Sequence, residues 1–110
     1  MKKYKLPLHI KNYVKTELYD YKTNKKIISE LEKDNKFKRT RTYLLTLQKI
    51  NRIDKVLRNL SKEDKEAIKI IFFEKHSQVY AEMNDNLTKD MYYNIMNKMI
   101  YLTAIEFELI

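Results

Sequence analysis

Along this chain the apolar positions recur mostly three and four residues apart, the period of helices that bury one face. After a short basic leader that ends at Pro7, Ile10, Tyr13, Val14, Leu18 and Tyr21 mark a helix over 8–21 with those side chains inward. Thr23 is a candidate cap for a following stretch with Ile27, Ile28 and Leu31 inward, ending near Asn35. No breaker lies between Asp20 and Thr23, so two helices and one bent helix stand as alternatives. The stretch NKFKRTRT (35–42) has four cations, no acid and two threonines able to cap, and reads as a linker. From Tyr43 to Leu60, apolar residues at 43, 47, 50, 53, 57 and 60 form an amphipathic stripe about five turns long. Its opposite face holds Lys49, Arg52, Lys55 and Arg58.

Three helix starts follow in close succession. Ser61 with Asp64 three residues on is an acidic variant of the capping box, and the helix it opens carries Ala67, Ile68, Ile71 and Phe72 on one face. Ser77 caps a short segment expected to turn Val79, Tyr80 and Met83 inward. Thr88 opens a longer helix with Met91 or Tyr92, then Ile95, Met99 and Leu102 at helical spacing. A support helix, a short helix, a turn and a longer helix make a tri-helical helix-turn-helix, whose last helix can enter a major groove. The expected fold is all-α with five or six helices. It divides into a basic helical region at 1–42, a connecting amphipathic helix at 43–60 and the helix-turn-helix at 61–110.

Composition supports the helical reading. There is no glycine and one proline, whereas hairpins and bulges of strand-rich folds rely on glycine. Asparagine can replace glycine at left-handed helix ends; Asn35, Asn59, Asn84 and Asn86 stand where helices should end. Without cysteine there is no disulfide, thiolate metal site or thiol nucleophile. His9 and His76 lie far apart, each without a partner at ligand spacing, so surface or capping roles are expected, with no metal and no cofactor. Carboxylates such as Glu63/Asp64 and Glu106/Glu108 are adjacent or two apart, spacings that do not face a common site on a helix. No nucleophile–base or acid–base set is present, so an enzyme is not expected. No apolar run reaches the roughly 20 residues of a membrane span, and MKKYKLPLHI lacks the apolar stretch and cleavage site of a secretory signal. The expected setting is the cytoplasm, and the richness in Lys, Asn and Ile hints at an AT-rich genome.

The net charge of +8 is split unevenly. Residues 1–60 hold 17 Lys and Arg against 6 Asp and Glu, a net +11, while 61–110 hold 6 against 9, a net −3. Phosphate neutralisation supplies most non-specific affinity for DNA. In a DNA-binding reading, Lys38, Arg39, Arg41 and Arg52 of the basic half therefore hold phosphates. The helix after Thr88 presents Lys89, Asp90, Tyr93, Asn94, Asn97 and Lys98 outward, where Asn can pair adenine and Lys can reach guanine or phosphate.

The opening LPLHIKNYVKTELYDYKTNKKIISELEKD, with Glu17-Leu18-Tyr19-Asp20-Tyr21 inside it, resembles the start of small late-transcription activators from phages of low-GC Gram-positive bacteria, the RinA and ArpU type. Their sigma-factor region 4-like helix-turn-helix is matched by IDKVLRNLSKEDKEAIKIIFFEKHS and then LTKDMYYNIMNKMIYLTAIEFEL. The resemblance implies a phage transcriptional regulator, an activator of late genes in a bacterial host, with DNA as partner and RNA polymerase as a second contact. Against the region 4 pattern, Met83 in the usual leucine place would make the turn about two residues longer and glycine-free, with another crossing angle. The alternative is a small protein-binding factor, either an inhibitor of a host enzyme or an RNA polymerase adaptor, that keeps the helices as scaffold. A homodimer through the 43–60 stripe is a further possibility, although fewer than three heptads are present.

Overall fold

The computed structural model of the protein describes residues 4–33 and 40–110, and among these the fold is all-α. Its elements are α1 (Leu8–Leu31), α2 (Arg41–Arg58), α3 (Lys62–Ile68) continued by a π-helical turn (Lys69–Phe73), α4 (Gln78–Asn84) and α5 (Lys89–Glu106). The first two expected helices are thus one: α1 starts directly after Pro7 and passes through Thr23 without interruption. Leu31 ends it, so the expected end at Asn35 lies outside the described residues. Its inward face is Val14, Leu18, Tyr21 and Ile28, spaced four, three and seven apart. Tyr13 and Ile27 point about 100° away from their buried neighbours and are exposed, contrary to the inward positions expected of them. In α2, Thr40 is the threonine that caps, accepting from the Tyr43 amide at 3.2 Å, and Tyr43, Ile50, Ile53 and Val56 are buried.

Four serine and threonine caps define the helix starts. Beside Thr40, Ser61 accepts from the Asp64 amide at 3.1 Å, Ser77 from Tyr80 at 3.2 Å and Thr88 from Met91 at 3.2 Å. Each satisfies an amide that the first helical turn leaves unpaired. The other ends are closed without glycine. Lys75, Asn86 and Glu108 take positive φ (57°, 56° and 61°). The residue after each returns its amide to a carbonyl of the preceding helix: His76 to Ile70, Leu87 to Ala81, Leu109 to Ala104. This is the left-handed helix ending. Of the described asparagines expected there, only Asn86 does this work; Asn59 has φ −93° and Asn84 remains inside α4.

One hydrophobic core runs through all the elements, with Phe72, Leu18, Ile53, Ile68, Ile71, Met99 and Ile100 fully buried. The chain measures 47 × 31 × 23 Å. α5 is the central helix. It buries Tyr92, Met96, Met99, Ile100, Thr103 and Ala104 and packs against α1, α2, α3 and α4. α2 runs opposite to it: Arg52 and Lys55 meet Glu106, while Val56 and Leu60 share a cleft with Lys98 and Leu102. α1 is tied to α2 by the buried Tyr21, whose hydroxyl donates to Asp54, and by Lys49–Glu17 at 3.1 Å. Burial and the Asp54 carboxylate together push the Tyr21 phenol well above its ordinary range. No helix of the described residues is long and apolar enough to cross a membrane.

Candidate nucleic-acid interface

The segment from Ser61 to Glu106 folds as the caps predict, but the short helix turns a different face inward. α4 has two turns, and its inward positions are Gln78 and Ala81, with Asp85 following at its C-terminal cap. Ala81 is fully buried, and its small side chain lets α4 approach its neighbours closely. Val79, Tyr80 and Met83, expected inward, are 63%, 50% and 77% exposed. Leu87 takes the apolar place in the turn and is buried. With Met83 outside, the connection from Asp85 to Thr88 has the ordinary length of a helix-turn-helix turn, and the lengthened turn does not occur. Asn86 supplies the left-handed residue that glycine supplies elsewhere.

Asp85 stands at the inner edge of that turn because His76 receives it. Nδ1 of His76 lies 2.8 Å from Asp85 Oδ2, and the imidazole meets the Tyr80 ring edge-on at 4.5 Å between centroids. The Tyr92 hydroxyl of α5 donates to the His76 carbonyl at 2.6 Å. These bonds join the loop before α4, the turn after it and the first turns of α5. Sequence spacing offered His76 no partner, since the aspartate lies nine residues away and across a helix.

On α5, Lys89, Asp90, Tyr93 and Asn94 are exposed along the first two turns, as expected of an outward face. The side chains of Lys89 and Asn94 make no bond within the described residues. Further along, Asn97 is half-buried and Lys98 is engaged, its ammonium 2.8 Å from Asp64 of α3. The hydrogen bond to Asp64 holds that ammonium charged against the opposing effect of burial, and its pKa is raised. The Tyr101 ring lies against that of Tyr4, with centroids 5.3 Å apart.

The cations expected to hold phosphates are not gathered with that face. Lys38 and Arg39 lie outside the described residues. Arg41 is exposed at the start of α2. Arg52 donates to the Glu106 carbonyl at 3.4 Å, and Lys55 pairs with the Glu106 carboxylate at 3.2 Å. Arg52 and Lys55 therefore sit at the far end of α5 from Tyr93, about 20 Å away along its axis at 1.5 Å per residue. Three lysines that the sequence did not single out do converge elsewhere: Lys22 and Lys25 of α1 with Lys69 of the π-helical turn. The spacing of the first two was visible; their meeting with Lys69 depends on tertiary packing. Among the described residues no group of three or more His, Cys, Asp and Glu is placed to hold a metal ion. No protein-family model, curated protein or solved structure matches the chain.

Proposed function

We propose that this protein is a DNA-binding transcriptional regulator of the phage late-activator kind, with α5 as its reading helix. The observation that carries the reading is the first two turns of α5. Lys89, Tyr93 and Asn94 stand exposed there, behind a capped start and a turn of helix-turn-helix length. The N-terminal residues of a recognition helix are the ones that contact base edges, and Asn is suited to the two edges of adenine. The resemblance of the opening stretch and of the segments Ile53–Ser77 and Leu87–Leu109 to phage late activators supports the assignment to that class. The net −3 of residues 61–110 leaves RNA polymerase as a partner of the same segment.

Selection of binding sites from random duplexes tests the reading. The protein should enrich a short motif. Asn94→Ala should then cost about 1–3 kcal/mol on that motif and leave random DNA almost unaffected, because base contacts discriminate and phosphate contacts do not. No enrichment, or equal losses on both DNAs, overturns it.

A second reading rests on the outer face of α4. Val79, Tyr80 and Met83, one, three and four residues apart on α4, form an exposed apolar surface of the kind that marks protein docking. In that reading the chain is a small protein-binding factor. Tyr80→Ala would weaken a complex with RNA polymerase or a host enzyme and leave DNA affinity unchanged.

A further inference from the structure

The ring of Tyr21 on α1 stacks on Phe73 of the π-helical turn, with centroids 4.7 Å apart and planes 25° from parallel. The two rings floor a shallow cleft walled by Lys22, Lys25, Lys69 and Glu74. The ammonium of Lys25 lies 5.2 Å from the Tyr21 centroid, within reach of the ring's negative face. All three lysines are exposed, and none forms an ion pair among the described residues. Lys49, Lys55 and Lys98, by contrast, each sit on a carboxylate. Glu74 is the one acid in the cleft, and its carboxylate makes no bond to the lysines.

Three unneutralised ammoniums around a flat apolar floor repel one another, and a bound polyanion relieves that repulsion. The cleft is too open to enclose a small anion, but an extended phosphodiester backbone can lie across it. Its position fits one. Tyr19, three residues before Lys22 and so on a neighbouring part of the same helix face, packs its ring on Phe72 at 5.2 Å. α1, which carries Lys22 and Lys25, packs against both the π-helical turn and α5. The lysine cleft thus lies where α1 meets the π-helical turn, on a helix packed against α5, whereas Arg52 and Lys55 sit at Glu106, the C-terminal end of α5.

We infer that Lys22, Lys25 and Lys69 form a phosphate-backbone site that holds one DNA strand beside the groove α5 enters. The inference rests on the DNA reading above and adds to it where the electrostatic attachment is made: across the α1–π-turn junction rather than along α2. Salt titrations of duplex binding, followed by fluorescence anisotropy, test it on the full chain. Lys→Gln at the three positions, singly and together, should weaken binding to the preferred and to random duplexes alike. The slope of log K against log salt should fall by about 0.9 for each phosphate no longer neutralised, so by roughly 2–3 in the triple variant. Glu74→Gln should strengthen binding to both duplexes. The lysines are exposed, and an unchanged circular dichroism spectrum and melting temperature would show that the fold is intact. Wild-type binding with an unchanged slope in a folded triple variant overturns the lysine site and leaves the DNA reading standing. Failure of the wild type to bind any duplex overturns both.

Discussion

Thr103 shows how a single atom can sit outside the logic of its surroundings. It is fully buried on the inner face of α5 between Ile100 and Ala104, and its hydroxyl has no hydrogen-bond partner among the described residues. A buried polar group without a partner loses its hydration and gains nothing in return. Thr103→Val keeps the branched shape and removes the hydroxyl, so it is expected to raise stability by about 1 kcal/mol, read as a higher urea midpoint with an unchanged slope. A lowered midpoint would mean that the hydroxyl has a partner in solution. Lys75 and Glu108 raise a related point. Both hold left-handed backbone that glycine or asparagine usually takes. Nothing in their side chains announced it, and a glycine-free sequence leaves such positions invisible until the returning amides are seen.

At the scale of elements, the starts of the helices were the most legible feature and the faces of the short ones the least. Ser61, Ser77 and Thr88 all cap as their spacing implied, because a hydroxyl before an apolar-periodic run has a local, well-defined task. Thr88 sets where α5 begins and hence which residues lie on its first turns. Thr88→Ala should cost roughly 0.5–2 kcal/mol in a urea titration, and, if α5 reads DNA as proposed, should lower DNA affinity beyond what the stability change explains. An unchanged midpoint would remove the cap from the account. In contrast, α4 misled because two turns offer too few positions to establish a face. Its bulkiest residues suggested the inside, but the packing used Ala81 for closeness and Asp85 for His76. The π-helical turn had no signal at all. It shows itself in the Glu74 amide reaching the Lys69 carbonyl at 2.8 Å, five residues back, and it sets Phe72 on Tyr19 and Phe73 on Tyr21. For the same reason the lysine cleft was not legible, since Lys69 joins Lys22 and Lys25 only through that turn.

At the scale of the whole molecule, charge and titration act together. Burial raises the phenols of Tyr19 and Tyr92, burial and Asp54 raise Tyr21, and the Glu32 hydrogen bond raises Tyr43. Burial lowers the Lys49 ammonium, but Glu17 and Tyr13 outweigh it and the net shift is upward. Lys98 is likewise raised. Every one of these groups holds its proton more tightly in the folded chain than in the unfolded one. Their stabilisation is therefore fully present below about pH 10, where the unfolded groups begin to titrate, and is lost as pH rises toward the folded values. Unfolding free energy should be flat through neutral pH and fall above about pH 10, with Tyr21→Phe removing part of that fall. A stability that stays level into strong alkali would contradict the arrangement.

The packing of α1 on α5 also has a bearing on the order of events when the chain is made. Synthesis releases the basic half first, and α1 and α2 must then keep Val14, Leu18, Ile50 and Ile53 from water with only each other for cover. Their remaining cover comes from the π-helical turn and from α5, which follow them in the chain. Until the π-helical turn has been made and has packed on α1, the lysines of α1 have neither the ring of Phe73 beneath them nor Lys69 beside them. A nascent or truncated chain would therefore carry exposed cations without their arrangement, free to adhere to any polyanion. Packing of the π-helical turn onto α1 is the step that gathers those scattered cations into one cleft.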